Sequence, residues 1–408
     1  MARSSTHDIV IIGGGAGGIA TAASLLKRRP LLDIAIVEPQ TEHYYQPGWT
    51  MVGGGVFDAP VTCRPMASVM PERAHWIRRA AASFQPEANR VTLDDGSTIE
   101  YKLLVVAPGI RLAWEQIKGL EEALGRNGVT SNYRYDLAPY TWELVRNLKS
   151  GRAIFSQPPM PIKCAGAPQK AMYLSCDAWA ERGVLDAIDV EFRNAGGVLF
   201  GVEAYVPALM DYVARYGIDL KLQQKLVAVD GEAKTATFET IEGAETVSFD
   251  MLHAVPPQVA PDFLARSSLA QADSGFVEVD KHTLQHLRFA NVFGLGDAAS
   301  TPNAKTAAAA RKQAPIVAVN ALAVLDGRKP SALYDGYGSC PLTVERGRIV
   351  LAEFGYDGKL LPSFPRWLID GTKPHRLSWL LKSEALPWIY WNGMLKGHEW
   401  LVKPKEAA

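Results

Sequence analysis

Asp8-Ile-Val-Ile-Ile12 is an unbroken, mostly β-branched apolar run, the pattern of a strand buried on both faces of a parallel sheet. The run ends at Gly13-Gly-Gly-Ala-Gly-Gly18. Ile19–Lys27 is then Ala-rich and helical, and Asp33–Val37 is strand-like again, closing on Glu38. The strand-into-turn pattern recurs at Leu103-Leu-Val-Val-Ala-Pro-Gly109. It recurs once more at Asn291-Val-Phe-Gly-Leu-Gly-Asp297, ahead of a helix that starts near Lys305. Between these, Arg152–Phe155 and Ile188–Phe192 read as strands and Gln169–Glu181 as a helix. Strands alternating with helices predict an α/β fold with parallel sheets. The longest apolar helical stretch, Thr306–Leu325, is interrupted by Arg311, Lys312, Gln313, Pro315 and Asn320. No segment therefore reaches the ~18 uninterrupted apolar residues of a spanning helix.

Composition narrows the class. At about 150 residues per domain, 408 residues require two or three domains. Hydrophobic residues at 48% against 21% charged describe a well-buried globular chain rather than a disordered one. Lys plus Arg and Asp plus Glu both number 43, so the basic excess needed to replace phosphate counterions is missing and nucleic acid is not an expected partner. The same zero charge opposes self-association only weakly and is compatible with a homo-oligomer. Four cysteines cannot form a secreted disulfide framework. Met1–His7 is short and polar, unlike a signal peptide, so a location on the cytoplasmic side is expected.

Glycines 13, 15 and 18 match G-x-G-x-x-G in its structural setting, between a strand and a helix. Gly13 permits the tight turn, Gly15 lets backbone approach a pyrophosphate, and Gly18 lets helix and strand pack closely. Glu38, twenty residues after Gly18, stands where a carboxylate accepts from a ribose hydroxyl. This pattern alone does not separate FAD from NAD. Leu103–Gly109 resembles the strand-to-turn segment that closes the FAD domain of two-dinucleotide-domain flavoproteins, with Pro108 where Thr is usual. Asn291–Asp297 resembles their second flavin segment, which implies that Asp297 binds the ribityl chain. The order of the three segments makes FAD the expected cofactor, held by a discontinuous domain.

The middle of the chain has no second fingerprint. Arg152–Phe155 leads into Ser156-Gln-Pro-Pro-Met-Pro-Ile-Lys-Cys-Ala-Gly-Ala-Pro168, where four prolines remove N–H groups that would cradle phosphate. Asn194-Ala-Gly-Gly197, after the next strand, lacks the helix-opening spacing as well. A Rossmann-like insert without its dinucleotide is expected, with electrons arriving from a donor other than NAD(P)H. Cys164 lies on the Pro-rich loop ahead of a helix, whose N-terminus favours a thiolate. Cys340 lies in the glycine-rich turn Tyr334–Pro341, and both loops are expected to converge on the flavin. Cys63 and Cys176 read as ordinary thiols. Lys163 and Lys170 are either thiolate-stabilising or solvated, and His253 and His286 are weaker candidates for proton relay than for structural roles.

Lys163-Cys-Ala-Gly-Ala-Pro-Gln-Lys170 with Met172-Tyr-Leu174, and Tyr334-Asp-Gly-Tyr337 with Ser339-Cys-Pro-Leu342, resemble sulfide:quinone oxidoreductases of the mitochondrial-like type. Asp280-Lys281 with Thr283-Leu-Gln-His286, Lys305–Ala309 and Leu351-Ala-Glu-Phe354 extend the resemblance over about residues 7–400. It implies a Cys164–Cys340 redox disulfide, with Gly13, Gly15, Gly18, Glu38, Gly109 and Asp297 on FAD. It further implies attack by hydrosulfide, a persulfide on Cys340, a small sulfur acceptor, and a membrane quinone as electron acceptor. Some members of the wider family attach the flavin through a third cysteine. Thr130–Tyr133 has none, so non-covalent FAD is expected.

The last fifty residues carry five of the ten tryptophans and eight Lys or Arg against four acids. Tryptophan favours the headgroup boundary and basic residues favour anionic lipid, which predicts a monotopic foot on the bilayer surface, interrupted at Pro374 and Pro387. The competing expectation is a helical pair packed on the flavin domain. Phe354, Tyr390 and Trp391 are the candidate quinone contacts. The expected division is residues 1–148 with 280–345 for FAD, 149–279 for the Rossmann-like insert carrying Cys164, and 346–408 for the C-terminal segment. An NADH dehydrogenase-like quinone reductase, a flavocytochrome-type sulfide dehydrogenase and a non-turnover sulfide sensor are the alternatives.

Overall fold

A computed structural model describes residues 4–405. Strand β1 (Ser4–Ile12) pairs in parallel with β2 (Ile34–Val37) on one side and β4 (Thr98–Val106) on the other. Strand β3 (Ala74–Ile77) extends the sheet beyond β2. The first part of β4 takes an antiparallel hairpin, Ala81–Gln85 with Arg90–Leu93, and its last part pairs in parallel with β8 (Val292–Gly294). A strand nearly two hundred residues away in sequence thus completes the N-terminal sheet. Ile9–Ile12 are essentially inaccessible, as their unbroken apolar pattern requires. Helix α1 (Ala16–Arg28) packs beside α3 (Ala307–Leu325), and both bury alanine-rich faces that allow close approach.

A second, five-stranded parallel sheet is built on β5 (Gly151–Gln157), β6 (Ile188–Asn194) and β7 (Met251–His253), with short flanking strands at Val129–Thr130 and Asp219–Leu222. Its helix α2 (Ala167–Glu181) is buried from Ala167 through Trp179. The reason lies on its far side. The hairpin of β9 (Gly338–Glu345) and β10 (Arg348–Phe354) packs there, and Cys340, Leu342, Val344, Val350 and Ala352 share one apolar core with α2 and β5. Chain that follows the first sheet in sequence therefore closes over the second.

Residues Arg376–Lys396 form one continuous helical run in which π-turns at Leu381–Ala385 and Ile389–Gly393 alternate with ordinary helix. Pro387, expected to interrupt this region, does not. The wide turn closed by the Leu386 N–H on the Leu381 carbonyl lies just ahead of it, where the regular bond ladder is already broken and a missing N–H costs little. Among the described residues, no helix is long and apolar enough to cross a membrane.

Candidate active site

The glycine loop between β1 and α1 is shaped by two close approaches. Gly13 has φ +102°, and a Cβ there would lie 2.4 Å from the Ala107 carbonyl oxygen on the neighbouring strand end. At Gly18 a Cβ would fall 1.9 Å from the Gly13 oxygen, so helix and turn pack only because the side chain is absent. Gly15 differs: a Cβ there would meet nothing within 4 Å, because it faces a cavity. Glu38 accepts from the Gly14 N–H at 2.8 Å and the Gln40 N–H at 2.8 Å, which fixes its carboxylate at the rim. Burial pushes its pKa up despite these bonds.

That cavity, of about 560 Å³, is shared by distant parts of the chain. Gly13–Gly17, Glu38, Pro108, Gly109 and Asp297 line one end, and Cys164 with Lys170 another. Lys382 and Tyr390 from the C-terminal helical run close it. Several features fit a dinucleotide. The first turn of α1 has neither a capping side chain nor an acidic residue, so its positive end is uncompensated where it meets the cavity. Both amide atoms of buried Asn132, also in the lining, lack a partner in the protein. Gly15 leaves open the space that any side chain would fill.

Cys164 sits at φ +54°, in the left-handed region that a non-glycine residue adopts at a cost of about 1–3 kcal/mol. Its N–H donates to the Lys305 carbonyl at 2.7 Å, and its own carbonyl accepts from Ala167 N–H at 2.8 Å as α2 begins. These bonds hold the strained turn, and the turn aims the thiol at β9. Cys164 Sγ lies 3.3 Å from Cys340 Sγ and 2.9 Å from Lys170 Nζ. The Cys340 hydrogen bond, with Lys170 adding its charge against the cost of burial, holds the Cys164 thiol well below its usual range. Cys340, donating to that thiolate, is held well above it. Burial alone would lower Lys170, but the adjacent cysteine sulfurs keep its ammonium charged. The hydrogen bond and Lys170 favour negative charge on Cys164 over Cys340.

Lys382 is buried next to this pair, and burial together with repulsion from Lys170 brings its pKa down to about 7. Its place on a π-turn is a frequent mark of functional positions. Nothing in the sequence around Lys382 separates it from a solvated lysine. Lys163, weighed as either thiolate-stabilising or solvated, turns to Gln46 Oε1 at 2.8 Å, and burial lowers it to about 8. Asp297 is raised by burial against the pull of Lys305 and Lys163.

The two histidines weighed from the sequence take structural places. His253 accepts from the Asn132 N–H, stacks on Phe155 and is held neutral by burial, with its pKa near 4. His286 bonds to the Leu269 carbonyl, and neither histidine lines the cavity. His43, missed from sequence, does: its Nδ1 meets the Gly14 carbonyl at 3.1 Å and its Nε2 the Tyr390 hydroxyl at 2.7 Å. That link ties the C-terminal run to the glycine loop. Glu353 and Tyr337, joined by a 2.6 Å hydrogen bond, also line the cavity; both lie in motifs that carry the family resemblance, though neither was singled out as a site residue.

Of the three aromatic candidates, Tyr390 lines the cavity. Trp391 is buried behind it with Arg64 stacked 4.3 Å from its ring, and Phe354 packs against Phe200 and Tyr205. Cys176 is fully buried in α2, and Cys63 hydrogen-bonds to Glu42 at a distance from the pair.

A glycine loop of the dinucleotide-binding kind and a cysteine backed by a second thiol and a lysine face one cavity, an arrangement that fits an oxidoreductase. A family model described as pyridine nucleotide-disulphide oxidoreductase matches residues 7–159. The chain is 43% identical to the mitochondrial sulfide:quinone oxidoreductase of Dictyostelium discoideum, an alignment covering 97% of this chain and 87% of that protein. It is 38% identical to the mitochondrial enzyme of Mus musculus over 96% of this chain and 87% of that protein. The crystal structure of sulfide:quinone oxidoreductase from Aquifex aeolicus superposes with a TM-score of 0.79 at 22% identity, covering 95% and 92% of the two chains. The chain belongs to the mitochondrial-type sulfide:quinone oxidoreductase family.

Proposed function

We propose that this protein oxidises sulfide to sulfane sulfur at the Cys164–Cys340 pair and passes the electrons through FAD to a membrane quinone. One observation carries the reading: Cys164 lines the cavity that the glycine loop opens into, with Lys170 on its sulfur and Cys340, 176 residues away in sequence, buried directly behind it. Gly13, Gly15, Gly18, Glu38, Gly109 and Asp297 are the residues proposed to hold FAD. When bound, FAD supplies a two-electron carrier between the cysteine pair and the quinone.

In the disulfide form, hydrosulfide attacks Cys340 Sγ. A sulfur–sulfur bond to the incoming atom forms as the Cys164–Cys340 bond breaks. The electron pair leaves on Cys164, where Lys170 already stabilises a thiolate. Cys340 then carries the persulfide, and a nucleophilic acceptor removes its outer sulfur. Oxidation of the two cysteines by two electrons restores the disulfide. Lys382 offers a second cation for anionic sulfur species entering the cavity. Non-covalent attachment of FAD is supported by the lining, where Cys164 is the one cysteine found among the described residues.

Quinone is proposed to approach along the C-terminal run, where Leu381, Leu386, Ile389 and Tyr390 line the cavity. The outer face of this run exposes Leu377, Leu380 and Trp388, with Trp367 exposed just before it, a surface suited to the bilayer interface. Both expectations for the C-terminus thus have a physical basis, one on each face of the helix. The division into residues 1–148 with 280–345, 149–279 and 346–408 stays a proposal, with the β9–β10 hairpin bridging it.

The test is anaerobic addition of sulfide to the purified holoenzyme, followed by a short-chain quinone. Sulfide should bleach the flavin and quinone should restore its colour, while Cys340→Ser should retain FAD and stay unbleached. Full bleaching of that variant at the wild-type rate would contradict the mechanism.

A further inference from the structure

The carboxyl ends of β1 and β2 carry the glycine cradle, and the amino ends of the same strands carry a cluster with no part in the chemistry above. His7 on β1, Asp33 immediately before β2, and His75 on β3 converge there. His7 Nδ1 lies 2.9 Å from Asp33 Oδ1, and His75 Nε2 lies 3.4 Å from the same oxygen. All three donor atoms fall within 4.8 Å of one another. His7 and Asp33 are half-buried and His75 is exposed.

We propose that His7, Asp33 and His75 bind a divalent cation of the zinc type. Two imidazole nitrogens and one carboxylate oxygen are a donor set that zinc accepts, with bonds of about 2.0–2.2 Å, whereas calcium and magnesium prefer all-oxygen shells. Around a tetrahedral ion at those bond lengths, neighbouring donors stand roughly 3.3 Å apart. The spacings of 2.9 and 3.4 Å bracket that value. His7 and His75 lie on parallel strands, and Asp33, at the entrance of the strand between them, accepts the Ile9 N–H on its carbonyl at 3.1 Å, so the sheet register sets the separation of the donors. Asp8 stands behind them: one of its oxygens accepts the Asp33 N–H at 3.3 Å, and the other pairs with Lys102 at 2.8 Å. Lys102 is thereby engaged by a carboxylate outside the donor set. Solvent beside exposed His75 supplies the fourth ligand. Bound there, the ion ties edge strand β3 to β1 across β2.

Equilibrium dialysis of the holoenzyme against zinc chloride tests this, with Cys164 and Cys340 kept oxidised so that their thiolates do not compete. One ion per chain should bind saturably and raise the melting temperature. His75→Ala, at an exposed position, should weaken binding by roughly tenfold or more, at least the cost of losing an outer-shell partner. Asp33→Asn, which preserves shape, should do likewise, and weakening in either variant supports the site. Equal zinc binding by wild type and both variants, or no saturable binding by wild type, overturns it. Sulfide-dependent flavin bleaching should be unchanged in His75→Ala, so this outcome is separable from the proposed function.

Discussion

Strand β1 with α1 and strand β5 with α2 are the same supersecondary unit used twice, and the loops between strand and helix differ in what they leave open. After β1, glycines pull the turn tight and leave space in front of an uncapped helix end. After β5, residues 158–166 make a longer, proline-rich turn that sets Cys164 at the corresponding helix entrance. The first loop presents bare backbone to the cavity, where the proposed function places a phosphate. The second presents a sulfur nucleophile beside Lys170. On the proposed function, one loop on a shared scaffold serves as a reaction site where the other serves as a cofactor site, because the strand ends and the helix dipole are common to both while the ligand-facing atoms differ.

Breaking the second loop should have the largest effect. Cys164→Ser should abolish turnover and sulfide-dependent bleaching while leaving FAD content normal, as measured by absorbance after release. Lys170→Met should leave both thiols and their hydrogen bond in place but remove the charge that helps to hold Cys164 as a thiolate. Alkylation of Cys164 at neutral pH should then slow by roughly tenfold or more, with its midpoint moved upward. Unchanged alkylation would show that the lysine does not set the thiolate.

Changes in the first loop sharpen the contrast. Gly15→Ala should fold normally, since its Cβ has no neighbour in the protein, yet purify with little FAD. Gly18→Ala should lower the melting temperature as well, because its Cβ strikes the Gly13 carbonyl. If Gly15→Ala retained full flavin, the cradle assignment would be wrong.

A smaller effect is expected from pH. Lys382, lowered to about 7, is charged below that pH and neutral above it, so the apparent affinity for anionic sulfur species should weaken as pH rises through 7. Lys382→Met should flatten that limb of the KM profile. The smallest effect should come from Trp388→Ala, which removes one exposed ring of a stacked pair with Trp400 and should reduce co-sedimentation with anionic vesicles without altering soluble sulfide chemistry.

Much of this was legible in sequence where the local pattern determines local structure. Ile9–Gly18, Leu103–Gly109 and Asn291–Asp297 each combine an apolar strand with a turn, and all three end beside the same cavity. The Cys164 and Cys340 motifs were legible through family resemblance, although their contact depends on β9 folding over α2, which no local pattern encodes. His43 and Lys382 were not legible. Each is an ordinary polar residue whose surroundings come from distant chain, Tyr390 for His43 and Lys170 with Cys164 for Lys382. Phe354 illustrates the converse: aromatic character identified a buried ring, but strand alternation turned it towards Phe200 rather than the cavity. Pro387 misled because the π-turns that accommodate it leave no mark in the pattern.

The central claim is that the loop after β5 has exchanged a dinucleotide for a dithiol, and NADH and sulfide added in turn to one anaerobic sample of holoenzyme test it most directly. NADH should leave the flavin spectrum oxidised, and sulfide should then bleach it. Bleaching by NADH, or an oxidised spectrum after sulfide, would contradict the account.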